Sequence, residues 1–232
     1  MLMPQDLLRE VVEDLGPLSA GLVFTGGSTV WLYFERPKFQ GEIRKTDDAD
    51  VVVAVASYVE YSRLLERLRE RGVSARAGQE GPTCRVITPR GHVLDVIPSR
   101  HEVLGFGNPW FEEGVRRAVL AAVDPDLQIR IFPAPVFFAA KASAYLDRGA
   151  KDPWTSDDLH DLLVLLDCRP SLPGEIASDS GALRAAIAAF ARGLVAGPAL
   201  DELIAGHLGA SAPGWRERVG AVQAALEALT AL

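Results

Sequence analysis

Apolar residues recur with a helical period over the first fifteen positions. Leu7, Leu8, Val11, Val12 and Leu15 share one face of a helix predicted over residues 4–15. A short apolar strand over 21–25 and a helical stretch over 28–34 follow. Residues 35–45 are charged, contain Pro and Gly, and read as a loop. The run over 48–56 is a strand whose unbroken Val/Ala sequence predicts burial on both faces. Residues 58–71 form a helix with Leu64, Leu65 and Leu68 inward, stopped by Gly72. Strands over 84–88 and 92–97 flank Pro89-Arg90-Gly91, a hairpin signal, and 128–132 is a further strand.

Beyond that point the pattern changes. Helices are predicted over 135–146, 156–166, 181–191, 198–208 and 215–232, where Ala and Leu dominate. Pro133 and Pro135 mark the boundary and suit the first turn of the next helix. The pattern predicts an α/β domain over 1–132 and a helical domain over 133–232.

Composition fits an ordinary globular chain: 232 residues, 48% hydrophobic and 24% charged. No apolar run reaches the roughly 18 residues of a membrane span, so no membrane partner is expected. The N-terminal stretch carries Asp6, Arg9, Glu10, Glu13 and Asp14 and lacks the apolar core of a signal peptide. With only Cys84 and Cys168, a disulfide framework is not expected, and the predicted compartment is a reducing cytoplasm. The net charge of −7 argues against broad nonspecific coating of nucleic acid.

The chemistry concentrates at Asp48-Ala49-Asp50, ahead of Val51-Val52-Val53. Carboxylates at i and i+2 of a strand point to one face. Mg2+ in phosphoryl-transfer sites is typically held by one or two carboxylates together with substrate phosphates. Upstream, Gly26-Gly27-Ser28 follows a strand and opens a helix. Such a turn offers backbone N–H groups and a hydroxyl to an anion, or is simply a tight turn with Ser28 as N-cap. Together the two motifs predict a site for a nucleoside triphosphate and its Mg2+. No Gly-Lys-Ser/Thr P-loop ending and no Gly-x-Gly-x-x-Gly is present.

Three further positions carry charge among apolar neighbours. Asp95 lies between Val93 and Ile97 and reads as a metal ligand, a base for the attacking hydroxyl, or an edge-strand carboxylate facing water. Lys141 is the only charge between Ile131 and Asp147; it either snorkels or reaches a triphosphate. Asp158 with Thr155 suggests a capping-box variant, whereas Asp161 sits amid Leu159, Leu162 and Leu163 without that explanation. The four histidines show no zinc-binding spacing, and no Gly-x-Ser-x-Gly elbow exists.

Phe24-Thr25-Gly26-Gly27-Ser28 with Arg44-x-Thr46-x-Asp48-x-Asp50 resembles the nucleotidyltransferases of the polymerase-β superfamily. More narrowly, the chain resembles the AbiEii/AbiGii-type nucleotidyltransferase toxins. The resemblance extends through Leu94-Asp95-Val96-Ile97-Pro98, Val103-Leu104-Gly105-Phe106-Gly107-Asn108-x-Trp110, Ala139-Ala140-Lys141-x-x-Ala144-Tyr145-x-x-Arg148-Gly149 and Ser156-Asp157-Asp158-Leu159-His160-Asp161-Leu162. It implies an α+β fold, with a mixed sheet flanked by helices and an all-helical C-terminal part. It also implies transfer of a nucleoside monophosphate from an NTP to a hydroxyl, with Mg2+ or Mn2+ as cofactor.

By position, Asp48, Asp50 and Asp95 would serve the metal and the chemistry. Gly26, Gly27, Ser28, Arg44, Thr46, Lys141, Asp158 and Asp161 would hold the nucleotide, with Lys141 neutralising the triphosphate. A macromolecular acceptor is implied, the 3′ end of tRNA first and a protein second, with a cognate antitoxin as partner in a toxin–antitoxin or phage-defence system. The low net charge favours a protein acceptor, whereas Arg44, Lys45, Arg85, Arg90 and Arg100 offer a basic rim for tRNA. A small-molecule adenylyltransferase and an inactive nucleotide-binding module are the other readings. Two positions depart from the family pattern: the Gly-Ser to Asp-x-Asp spacing is long, and Asp157 stands where a basic residue is usual.

Overall fold

The structure is a computed structural model that describes residues 2–35, 46–75, 84–209 and 214–232. They form two compact units, one of residues 2–32 and 46–133, the other of 33–35 and 134 onward. The fold is α+β: a mixed sheet flanked by helices, followed by an all-helical C-terminal part.

In the first unit, α1 (Pro4–Leu15) buries Leu7, Leu8, Val11 and Leu15 of the predicted stripe and leaves Val12 half-buried. A 3-10 turn leads into β1 (Leu22–Thr25), and a second 3-10 helix, Gly27–Tyr33, follows. Strand β2 (Asp48–Val53) stops three residues short of its predicted end. Helix α2 (Tyr58–Glu70) is capped by Ser57, whose side chain accepts from the Glu60 N–H. Strands β3 (Ser74–Ala75), β4 (Arg85–Ile87) and β5 (Val93–Pro98) follow, and Gly91 takes φ +88° in the β4–β5 hairpin. Then come α3 (Phe111–Arg116), β6 (Val119–Asp124) and β7 (Leu127–Ile131). Neither α3 nor β6 is predicted from the periodicity.

The sheet runs β3-β4-β5-β2-β1-β7-β6. Strand β2 pairs antiparallel with β1 and parallel with β5. This places β2 and β5 in the interior, so Asp95 does not lie on an edge strand. Residues paired across neighbouring strands share a face. Ala49, Val51, Leu94 and Val96 share one face and are fully buried, while Asp48, Asp50, Val93, Asp95 and Ile97 share the other and are half-buried. The carboxylates therefore stand at a half-buried end of a face that Val52 continues into the core, and the opposite face is core. The valine run Val51–Val53 is buried on both faces, as predicted, whereas Asp48 and Asp50 ahead of it stay half-buried, which spares the acids full desolvation.

The second unit contains α4 (Ala134–Ala144), a π-helical turn at Tyr145–Gly149, α5 (Asp157–Cys168), α6 (Leu172–Ala177), α7 (Gly181–Val195), α8 (Leu200–Leu208) and α9 (Trp215–Thr230). Helix α4 is apolar on nearly all sides and is buried on nearly all sides, as the absence of a polar stripe requires. It packs on α5 and α7, where Phe138 meets Phe190 edge-on at 5.9 Å. Arg218 of α9 donates to Asp167 of α5 at 2.7 Å and 2.9 Å, a buried ion pair tying the two helices. Among the described residues no single helix is long and apolar enough to cross a membrane.

Candidate active site

Register builds the site in the first unit. Asp50 pairs with Thr25 of β1 on one side and with Asp95 of β5 on the other, and Asp95 in turn pairs with Arg85 of β4. One row of the sheet thus reads Thr25, Asp50, Asp95, Arg85, with Asp48 two residues from Asp50 on the same face.

Each acid is held by a different device. Thr46 Oγ1 donates to Asp48 Oδ1 at 2.6 Å, which fixes one carboxylate oxygen and leaves the side chain 39% exposed. Asp50 lies against Gly26. A Cβ built on Gly26 would stand 1.9 Å from Asp50 Oδ2, and Gly26 has φ +77°. Glycine is required there for both the left-handed backbone and the close carboxylate. Asp95 is held by Arg85, with Nε donating to Oδ1 at 2.8 Å and Nη2 donating to Oδ2 at 2.6 Å. The same Nη2 stands 3.5 Å from Asp48 Oδ2.

Beyond Gly26 the chain turns so that the Thr29 N–H and hydroxyl both donate to the Gly26 carbonyl, at 3.2 Å and 3.0 Å. Trp31 Nε1 donates to the Ser28 carbonyl at 2.9 Å. Ser28 is fully buried, yet its Oγ makes no hydrogen bond. It is not an N-cap. A buried hydroxyl without a partner costs free energy. Nearby, burial and then the Asp95 charge push the Cys84 thiol up to about 11.

Among the described residues no three His, Cys, Asp or Glu side chains converge closely enough to hold a metal ion as placed here. Asp48 and Asp50 nevertheless fit a divalent cation that shares its coordination with substrate phosphates, since Mg2+ needs only one or two carboxylates in that setting. The hard oxygen donors, the Gly26 cradle and the unpartnered Ser28 hydroxyl agree with that fit. Asp95 is engaged by Arg85 instead.

Of the five cations of the predicted basic rim, Arg44 and Lys45 lie outside the described residues. Arg90 donates to Asp14 and Glu13 of α1 at 2.7 Å and 2.8 Å. Arg100 follows the far end of β5 and stands 3.5 Å from Glu112. Arg85 alone of the described three sits at the carboxylates. It was legible only as rim, although the hairpin centred on Arg90 sets residue 85 opposite residue 95.

The second unit carries its own charged cluster. Lys141 Nζ donates to Asp158 Oδ1 at 3.0 Å and stands 2.6 Å from Asp161 Oδ2. Arg148 Nε donates to Asp158 Oδ2 at 2.8 Å. Burial opposes the Lys141 charge, but the Asp161 and Asp158 carboxylates outweigh it and leave its pKa raised. Burial likewise opposes the Asp158 charge, and Lys141 and Arg148 reverse the effect and hold it below the usual aspartate range. The capping-box reading of Thr155 and Asp158 is corrected. Ser156 is the cap, accepting from the Leu159 N–H, and Thr155 Oγ1 donates to Asp152.

No family model and no curated protein matches the chain. Among solved structures it is similar to an antigenic nucleotidyltransferase-like protein from Paracoccidioides brasiliensis, at 17% identity and a TM-score of 0.46, over 87% of this chain and 92% of that one.

Proposed function

We propose that the protein is a Mg2+-dependent nucleotidyltransferase that moves a nucleoside monophosphate from an NTP to a macromolecular hydroxyl. One observation carries the reading: Asp48, Asp50 and Asp95 share one half-buried stretch of a sheet face, with Asp50 seated on Gly26. The motif resemblance supplies the reaction class.

Asp48 and Asp50 would hold the cation, which when bound neutralises phosphate charge and polarises the reacting phosphorus centre. Thr46 fixes the Asp48 carboxylate before any ligand arrives, so little reorganisation is needed. Ser28 Oγ has an unused donor for a phosphate oxygen. Asp95, whose two oxygens accept from Arg85, would take the proton of an attacking hydroxyl or ligate the cation once Arg85 releases it. Lys141, Asp158 and Asp161 enter only through the resemblance, as a group serving the nucleotide.

The tRNA 3′ end is the acceptor the resemblance implies, with a toxin or phage-defence role and a cognate antitoxin. One observation favours a second acceptor, a protein hydroxyl. Arg90 and Arg100 are committed to acids elsewhere on the first unit and do not form a basic rim at the carboxylates. Phosphate contacts dominate nucleic-acid affinity. Incubation of the protein with labelled NTP, Mg2+ and either tRNA or a ribonuclease-treated lysate separates the two. Label that enters tRNA supports the first acceptor, label that enters protein supports the second, and no label above an Asp48→Ala control refutes the activity.

A further inference from the structure

The reading above requires Arg85 to release Asp95, and its geometry shows what that release involves. Its guanidinium forms a two-pronged contact with both oxygens of Asp95, and one prong reaches Asp48 Oδ2 at 3.5 Å. The pairing is built in by strand register, because Arg85 stands directly opposite Asp95 across the β4–β5 hairpin. The two side chains are 34% and 13% exposed, so the contact is partly screened from water. Three acids share one face, and Arg85 is the counter-charge that strand register places among them within the described residues.

A divalent cation on Asp48 would sit about 2.1 Å from a carboxylate oxygen. A guanidinium nitrogen near the same oxygen competes with it for space and for charge. Two positive groups cannot both occupy that position without strong repulsion. The polyphosphate of an NTP offers the arginine fork an alternative partner of the kind it binds best.

Resting on the nucleotidyltransferase reading, we propose that Arg85 is a resident counter-cation of the carboxylate cluster, which the metal must displace and which the nucleotide draws away. The nucleotide-free protein then binds divalent cations weakly, and cation and NTP load together. Because coupling between two ligands is reciprocal, each raises the affinity for the other by the same factor. Arg85 is the positioning residue that adds to this coupling beyond what phosphate ligation of the metal supplies; the nucleotide contact lets it leave Asp48 and frees Asp95 at the same moment.

The test is Mn2+ binding, read from the loss of the free-ion electron paramagnetic resonance signal. It is run with and without a non-hydrolysable NTP analogue, on wild type, Arg85→Gln and Arg85→Lys. In Arg85→Gln, nucleotide-free Mn2+ affinity is expected to rise about tenfold or more, and the further gain from the analogue shrinks to what direct ligation by its phosphates supplies. Arg85→Lys keeps the charge without the fork and should fall between the two. Unchanged or weaker Mn2+ binding in a folded Arg85→Gln protein overturns the proposal, as does undiminished coupling to the analogue. If Arg85→Gln does not fold, Arg85→Lys with wild-type affinity and coupling overturns it equally. An Asp50→Asn control keeps the two levels apart: Mn2+ binding that ignores this substitution refutes the underlying metal site rather than the role of Arg85.

Discussion

Replacing Gly26 by Ala puts the geometry of the Asp50 carboxylate under direct test. Two costs arise. Gly26 has φ +77°, a left-handed backbone that costs a residue with a Cβ about 1–2 kcal/mol. The new Cβ also meets Asp50 Oδ2 at 1.9 Å, Asp50 Cγ at 2.8 Å and Asp50 Cβ at 3.0 Å. A shift of tenths of an ångström cannot relieve the first contact, so the Asp50 side chain must rotate away. Overpacking of this kind costs about 1–3 kcal/mol. The sum is about 2–5 kcal/mol, or a fall in Tm of about 6–15 °C at roughly 3 °C per kcal/mol. Gly91→Ala is the control, since Gly91 has φ +88° and no atom within 4 Å of the added carbon. That variant carries only the backbone cost, about 1–2 kcal/mol. Urea denaturation of both variants gives the difference, and Mn2+ titration gives its consequence: Gly26→Ala should lose at least tenfold in affinity while Gly91→Ala should not. Equal destabilisation in the two, or normal Mn2+ binding by Gly26→Ala, would refute the argument that Gly26 exists to seat Asp50.

Other outcomes follow from the same geometry. Ser28→Ala removes a buried hydroxyl that bonds to nothing, so stability should hold within about 0.5 kcal/mol or rise, while NTP affinity falls; a large loss of stability in calorimetry would contradict this. Asp158 is held below the usual aspartate value of 3.8 and Lys141 above the usual lysine value of 10.5. The stability Asp158 contributes is therefore full above pH 3.8 and lost as pH falls through its lowered folded value, and that of Lys141 is full below pH 10.5 and lost as pH rises further. Urea midpoints against pH should show a shallower acid limb in Asp158→Asn than in wild type; identical limbs would count against the cluster. With its pKa near 11, only about one Cys84 thiol in a thousand is thiolate at pH 8, so iodoacetamide should label it far more slowly than a free thiol. Labelling at the free-thiol rate would show that the site is more open than described.

The parts of the fold with local signals are visible in the amino-acid order. The stripe of α1, the valine run of β2 and the Pro89-Arg90-Gly91 hairpin each carry their own period or turn chemistry. Strand β6 does not: it is Val-Leu-Ala-Ala-Val-Asp, where alanine is a poor strand former, and pairing with β7 stabilises it. Helix α3 is six residues long with Gly114 inside it, too short for a periodicity to register. At the site, the aspartates of β2 were legible because i and i+2 share a face on any strand. That Asp95 joins them depends on strand order, which no local pattern encodes. The pairing of Lys141 with two acids depends on how α4 packs on α5 and has the same long-range origin.

The proposed activity is nucleotidyl transfer at Asp48 and Asp50. Incubation with Mg2+, an acceptor fraction and NTP labelled at either the α or the γ phosphate tests it most directly. Label should pass to the acceptor from the α position only, with release of pyrophosphate, and should vanish in Asp50→Asn. Transfer from the γ position, or α-label retained at the wild-type level in Asp50→Asn, would contradict it.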